Sequence, residues 1–109
     1  MREGLYKVQF RTQLGDGAGV FVLCDGRILG GDSIMYFTGA YNDKDGQFTA
    51  DVHAIRHTAS PNNFSVFGAD DIHVHLSGTT VGDSGQVIGK ADEAPKVDFQ
   101  AIFSRVADL

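Results

Sequence analysis

The chain of 109 residues is 42% hydrophobic and 21% charged, a composition typical of a folded globular domain rather than of a disordered segment. The net charge of −5 and the scattered Lys and Arg residues argue against nucleic-acid binding, which needs clustered basic residues. A single cysteine excludes an internal disulfide, and neither a signal-peptide core nor an apolar run of membrane-spanning length is present. We therefore expect one cytoplasmic domain over residues 1–109 with no membrane contact.

Alternation of apolar and polar residues runs through the chain and predicts β-strands, whereas no segment has a helical period. Short turns rich in Gly, Asp and Asn separate the strands, including a glycine-rich turn over residues 14–19. A meander of about eight strands tends to close on itself, so we expect an all-β, antiparallel barrel. The candidate strands span residues 5–12, 19–24, 27–31, 33–41, 47–57, 64–68, 71–78, 86–91 and 97–106.

The apolar faces of these strands define the expected barrel interior. In the first strand, Tyr6, Val8 and Phe10 point one way, and the charged and amide side chains point the other way. A small barrel is either filled by its own side chains or hollow enough to hold an apolar molecule, and the sequence leaves both alternatives open. The residues assigned to the interior are Tyr6, Val8, Phe10, Val22, Phe48, Val52, Val74, Phe99 and Phe103.

The strand over residues 19–24 is apolar on both of its faces. Assigning Val22 to the interior places Phe21 and Leu23 on the outer surface, because successive side chains alternate between the two faces. Two large apolar side chains on that surface need a cover, and a second copy of the chain is the commonest one. We therefore predict a homodimer whose interface includes Phe21 and Leu23.

Residues 24–41 hold four glycines among apolar residues. The dipeptide Asp25-Gly26 predicts a two-residue hairpin turn. The other three glycines are expected at sharp bends of a closing sheet, and the aspartate that follows two of them is expected to cap a turn. These structural positions are Gly30, Gly31, Gly39 and Asp32.

The histidines are the residues that best suit metal chemistry. His53 and His57 share the polar face of one predicted strand with Asp51, and His73 and His75 share the polar face of another. Neighbouring strands with such faces would bind zinc or iron. These faces point to solvent, however, whereas catalytic metal sites usually lie in concave places. We therefore expect neither a metal, a cofactor nor a catalytic residue.

A further candidate site is the acidic hairpin loop in which Asp43 and Asp45 flank Lys44. Such a loop is usually a solvated turn. The alternative function is an exposed acidic tip that docks onto a basic partner.

Six segments together give the chain its resemblance to a known family. They are "GLYKVQF", "GVFVLCDGRILGGD", "YFTGAY", "NDKD", "ADVHAIRH" and "VDFQAIFSRV", and residues 25–41 are the most specific part. The pattern resembles the GrlR-type negative regulators of type III secretion. This resemblance implies a small, lipocalin-like barrel of eight strands that dimerises through its outer surface and has an apolar interior suited to a lipid-like molecule.

The same resemblance implies a bacterial, non-enzymatic protein that binds and restrains a transcriptional activator. The family carries four acidic residues, EDED, in the loop that corresponds to residues 42–45, and this chain keeps two of them, Asp43 and Asp45. These two residues are the implied partner-binding site. The leading hypothesis is therefore a regulatory interaction protein, and the alternative is a binding protein for a small apolar ligand.

Overall fold

The computed structural model describes residues 1–59 and 65–109, which form eight β-strands. Each strand pairs antiparallel with the next one, and β8 pairs with β1, so the sheet closes into a barrel. The prediction of a small antiparallel meander barrel is confirmed. The strands are β1 (Gly4–Thr12), β2 (Gly15–Cys24), β3 (Arg27–Gly31), β4 (Met35–Lys44), β5 (Gln47–Arg56), β6 (Asp71–Val81), β7 (Ser84–Ala91) and β8 (Ala94–Ala107). The described part of the chain contains no helix that could span a membrane.

Two predicted elements differ from the structure. Residues 65–68 are turn rather than strand, and Phe64 lies outside the described residues. The glycine-rich segment 15–19, predicted as a turn, belongs to β2. Its glycines leave room for neighbours, because a Cβ at Gly17 would lie 2.3 Å from the ring of Phe10.

Tight turns join the strands at one end of the barrel. Asp25-Gly26 and Asp45-Gly46 connect β2 to β3 and β4 to β5, and all four residues have positive φ, between 52° and 80°. This conformation is that of a type I′ turn, whose twist matches that of the flanking strands. We call this end, which also holds the start of β1, the turn end. The opposite end, which holds the β3–β4 turn and the β5–β6 connection, is the loop end.

Asp32, Gly30 and Gly31 lie near the β3–β4 turn, and Gly39 lies in the middle of β4. Oδ1 of Asp32 accepts hydrogen bonds from the backbone N–H groups of Ile34 at 2.9 Å and Met35 at 2.8 Å, so Asp32 caps the β3–β4 turn. Gly30 and Gly39 lie inside β3 and β4, where a neighbouring backbone comes unusually close. Gly31 pairs with Tyr36 across the β3–β4 turn.

The turn-end half of the interior is solid. Aromatic rings pack in contact there, with centroids 5.4 Å apart for Tyr6 and Phe21, 5.5 Å for Phe21 and Phe103, and 5.3 Å for Phe48 and Phe103. Leu23 packs in the same cluster. This half therefore has no room for a ligand.

The prediction that Phe21 and Leu23 lie on the outer surface is wrong. Phe21 is 8% exposed and Leu23 is fully buried, whereas Val20 is 46% exposed. Val22 alternates with the buried residues and points outward, so its assignment to the interior is wrong as well. The pairing of β2 explains the error, because Phe21 lies directly opposite Tyr6, and paired residues on neighbouring strands share one face.

Candidate functional site

The loop-end half of the barrel interior is hollow. It holds a cavity of about 230 Å³ with a predominantly apolar lining. Inward-facing residues of this half, such as Phe10, Phe37 and Phe99, keep some accessible surface because the space in front of them is unfilled. The apolar side chains that line it include Val8, Phe10, Phe21, Ile28, Ile34, Met35, Phe37, Phe48, Val52, Ala54, Val66, Phe67, Ile72, Val74, Leu76, Val87, Phe99, Ala101 and Phe103.

The segment that begins at residue 65 covers part of the loop end. The ring of Phe67 stacks on that of Phe99, with centroids 5.2 Å apart. The hydroxyl of Thr12 donates to the carbonyl oxygen of Val66 at 2.5 Å and ties this segment to β1. Ser33 and Ser65 contribute the hydroxyl groups of the lining.

The lining also includes the carboxylates of Asp16 and Asp32, but the buried polar side chains of the cavity wall are already hydrogen-bonded. Among the described residues, every buried side-chain nitrogen and oxygen has a hydrogen-bond partner. Since no buried polar side chain awaits a partner, the buried part of the cavity selects an occupant by its shape and apolar surface rather than by a hydrogen bond.

Of the nine residues predicted to lie in the interior, eight do so and one lies on the outer face. Tyr6 lies in the solid cluster, and Val22 lies outside. The cavity is lined by the other seven, which are Val8, Phe10, Phe48, Val52, Val74, Phe99 and Phe103.

Sequence reasoning missed several lining residues. Phe37 had a detectable signal, because Met35, Phe37 and Gly39 alternate with outward-facing residues along β4. Phe67 had none, since it lies in an irregular connection without periodicity.

The acidic loop does not present two free carboxylates. Oδ2 of Asp43 accepts a hydrogen bond from the amino group of Met1 at 2.5 Å, and its Oδ1 accepts one from the hydroxyl of Thr80 at 3.0 Å. The Asp43 side chain is only 9% exposed. The prediction of an exposed acidic pair is therefore wrong for Asp43, and Asp45 alone projects from the turn.

The structure brings three of the four histidines together on the outer surface. His53 of β5 lies directly opposite His73 of β6, and their rings stack with centroids 4.2 Å apart. His75 follows on the same face of β6. The fourth histidine, His57, lies apart and contacts the carbonyl oxygen of Asp32 through its Nε2 at 3.0 Å.

Each clustered histidine contacts at least one carboxylate. Nε2 of His53 lies 2.6 Å from Oδ1 of Asp71, and Nδ1 of His73 lies 2.7 Å from Oε2 of Glu93. His75 lies between two acids, which are Asp51 at 2.7 Å and Asp92 at 2.9 Å. The sequence placed the histidines on polar faces but did not show which acids adjoin them.

These contacts shift the proton affinities of the groups. Hydrogen bonds from the ring and the backbone N–H of His73 lower the pKa of Glu93 to about 2. The hydrogen bond to Glu93 raises the pKa of His73, and hydrogen bonds to Asp51 and Asp92 raise the pKa of His75. Glu93 accepts two hydrogen bonds from one residue, which strengthens the preference for its charged form.

We expect the histidine pairs to make stability depend on pH. The pKa of His75 is higher in the folded protein than its value of 6.5 in the unfolded chain. The charged ring therefore stabilises the fold fully below about pH 6.5, and this stabilisation is lost as the pH rises through the folded-state pKa. The urea midpoint of the His75→Gln variant should therefore lie further below that of the wild type at about pH 6 than at about pH 9. Urea unfolding at the two pH values measures this difference, and an equal difference at both would contradict it.

No family model matches the chain, and no curated protein sequence matches it significantly. The resemblance to the GrlR-type regulators therefore stays a prediction. Fold and site together define the chain as an eight-stranded antiparallel meander barrel with an apolar cavity in one half.

Proposed function

We propose that this lipocalin-like barrel is a non-catalytic protein that binds a small apolar molecule at its loop end. The observation that carries the proposal is the cavity of about 230 Å³ with its predominantly apolar lining. Water inside an apolar cavity has few hydrogen-bond partners. Binding of an apolar molecule in its place therefore lowers the free energy. The solid turn-end half gives the site a rigid floor.

The volume and the lining limit the ligand. A cavity of about 150 Å³ lined by Leu, Ile and Phe binds benzene, so by proportion this one holds about nine carbon atoms. The rings of Phe10, Phe37, Phe67 and Phe99 contact one another around it, with neighbouring centroids 5.2 to 6.4 Å apart. Aromatic walls favour a flat ring system, and a medium-length acyl chain also fits the volume.

Titration with a naphthalene probe tests the proposal. The chain has no tryptophan, so the probe is observed without indole background from the protein. We expect saturable binding with a blue shift in probe emission. Val52→Phe, which fills the cavity from β5, should weaken binding about tenfold or more, because a few lost methylene-sized contacts have this effect.

The matched control is Val22→Phe, which adds the same ring on the outer surface and should bind the probe like the wild type. Thermal unfolding shows whether both variants keep the fold. Equal binding by a folded Val52→Phe variant, or no saturable binding by the wild type, would contradict the proposed function.

A second candidate function is that of a regulatory protein that acts through a protein contact, as the resemblance implies. The observation that favours it is an apolar patch on the outer face of β2 to β4, formed by the exposed side chains of Val20, Leu29 and Tyr36 and the half-buried side chain of Val22. Gly31 lies between Val20 and Tyr36 in the register and carries no side chain. We propose that a second copy of the chain covers this patch, since a two-fold contact buries the same apolar side chains on both copies.

Oligomeric state tests this contact. Val20→Asp should change a dimer into a folded monomer in light scattering at tens of micromolar protein. The control is Ile88→Asp, because Ile88 is also exposed but lies on β7, four strands from β3 around the barrel. A monomeric wild type would contradict the dimer and leave the cavity proposal unaffected.

A further inference from the structure

Three side chains on the outer face of β5 and β6 place metal-binding atoms within reach of one ion. His53 pairs directly with His73, and Asp71 lies two residues before His73 on the same face. One ligand atom from each residue lies within 4.8 Å of the other two. We propose that His53, Asp71 and His73 bind a divalent transition-metal ion of the Zn²⁺ class, contrary to the expectation from sequence that the chain binds no metal.

Glu93 gives His73 the kind of hydrogen-bond partner that a metal-binding histidine usually has. Its Oε2 accepts the ring Nδ1–H of His73 and its Oε1 accepts the backbone N–H of the same residue, both at 2.7 Å. Histidines that bind metals almost always donate their other ring N–H to a carboxylate or carbonyl, which fixes the ring orientation. The contact to Glu93 leaves Nε2 of His73 as the nitrogen that faces the ion.

Binding an ion requires the side chains to rotate, because the rings of His53 and His73 are stacked within 14° of parallel and their nitrogens do not converge on one point. Nε2 of His53 lies 2.6 Å from Oδ1 of Asp71, whereas two ligand atoms of a tetrahedral zinc ion are about 3.3 Å apart. Both side chains are accessible, at 35% for His53 and 66% for Asp71, so side-chain rotation suffices to admit the ion. Water would complete the coordination of a site with three protein ligands.

The chemistry of the donors selects the class of ion. Two imidazole nitrogens and one carboxylate suit Zn²⁺, Co²⁺ or Ni²⁺, whereas Ca²⁺ and Mg²⁺ prefer sites made of oxygen. The surroundings are acidic, because Asp51 and Asp92 flank the adjacent His75. Lys90 pairs with His75 in the register, but its ammonium group contacts Asp98.

Zinc titration of the full chain without an affinity tag tests the site. Isothermal calorimetry with Zn²⁺ should give one equivalent bound, and Co²⁺ should produce visible absorption typical of bound cobalt. His53→Ala and His73→Ala should each weaken Zn²⁺ binding at least about tenfold, and Glu93→Gln should weaken it about tenfold through the orientation of His73. These side chains lie on the surface, and circular dichroism verifies that each variant is folded.

Two controls separate this site from its neighbours. His75→Ala removes a histidine whose two ring nitrogens already contact Asp51 and Asp92, and it should change Zn²⁺ affinity less than about threefold, well below the effect of losing a ligand. Cys24→Ser removes the thiol from the other group of potential ligands in the described residues, Glu3, Cys24 and Asp25, and it should bind Zn²⁺ like the wild type. Absence of saturable binding, wild-type affinity in folded His53→Ala and His73→Ala variants, or loss of binding in Cys24→Ser would each overturn the proposal.

Discussion

Gly39→Val is expected to lower the free energy of unfolding by about 3 kcal/mol or more, at the upper end of what overpacking costs. A Cβ atom at Gly39 would lie 2.1 Å from the carbonyl oxygen of Asp51 and 2.9 Å from Cα of Val52. Both atoms belong to the backbone of the paired strand β5, so no side-chain rotation relieves the clash. The β4–β5 ladder would have to open at this point.

Close approach, rather than an unusual dihedral angle, makes this glycine necessary. The glycines with positive φ are at other positions, such as Gly26 and Gly46 in the tight turns. Gly39→Ala should therefore cost nearly as much as Gly39→Val, because the first added carbon already clashes. This near-equality distinguishes a clash with backbone from the extra bulk of a β-branched side chain.

The control is Ala40→Val on the same strand. Ala40 is exposed on the outer face, so the larger side chain should change the free energy of unfolding by less than about 0.5 kcal/mol. Urea unfolding followed by circular dichroism measures all three variants. A Gly39→Val variant that unfolds with the wild type would show that β4 and β5 do not approach this closely.

The fold was predictable because its signals are local. Alternation identifies a strand from a few residues, and Asp25-Gly26 and Asp45-Gly46 can adopt the positive φ that a two-residue hairpin needs. The close approach at Gly78, where a Cβ would lie 1.9 Å from the carbonyl oxygen of Gln86, was not predicted. It depends on the coiling of the closed barrel, which no single strand encodes.

The candidate sites were less predictable because they depend on pairing between distant segments. His53 lies opposite His73 because of the register in which β5 and β6 pair, and the number of residues between the two strands does not determine that register. Glu93 reaches His73 from the turn between β7 and β8. Phe67 reaches the cavity from an irregular connection, so its contribution followed only from the three-dimensional structure.

The predicted register of β2 was wrong for a different reason. A strand that is apolar on both faces matches either register, so alternation carries no information about which face is buried. The deciding information lies in its neighbours. Phe21 pairs with Tyr6 on one side and with Gly30 on the other, and a Cβ at Gly30 would lie 2.5 Å from Cα of Phe21. An inward Tyr6 therefore requires an inward Phe21, and Gly30 leaves room for it.

Phe21→Asp is accordingly expected to unfold the barrel rather than to give a folded monomer. The Phe21 ring contacts Tyr6 and Phe103, with centroids 5.4 and 5.5 Å away. Removal of a buried phenylalanine costs about 3–5 kcal/mol, and the carboxylate adds the cost of a buried charge or of its protonation. The sum is comparable to the whole stability of a small domain, which is about 5–15 kcal/mol.

Val22→Asp is the matched control for Phe21→Asp, since it introduces the same group one residue away on the outer face. The two registers of β2 predict opposite outcomes for this pair of variants. If Phe21 is inside, Phe21→Asp loses its β-sheet circular dichroism and its urea transition while Val22→Asp keeps both. If Val22 is inside, the behaviour is reversed, because the aspartate at position 22 would then be the charge placed among the aromatic rings. A folded Phe21→Asp variant beside an unfolded Val22→Asp variant would therefore contradict the register of β2 and, with it, the position of the cavity wall that this strand forms.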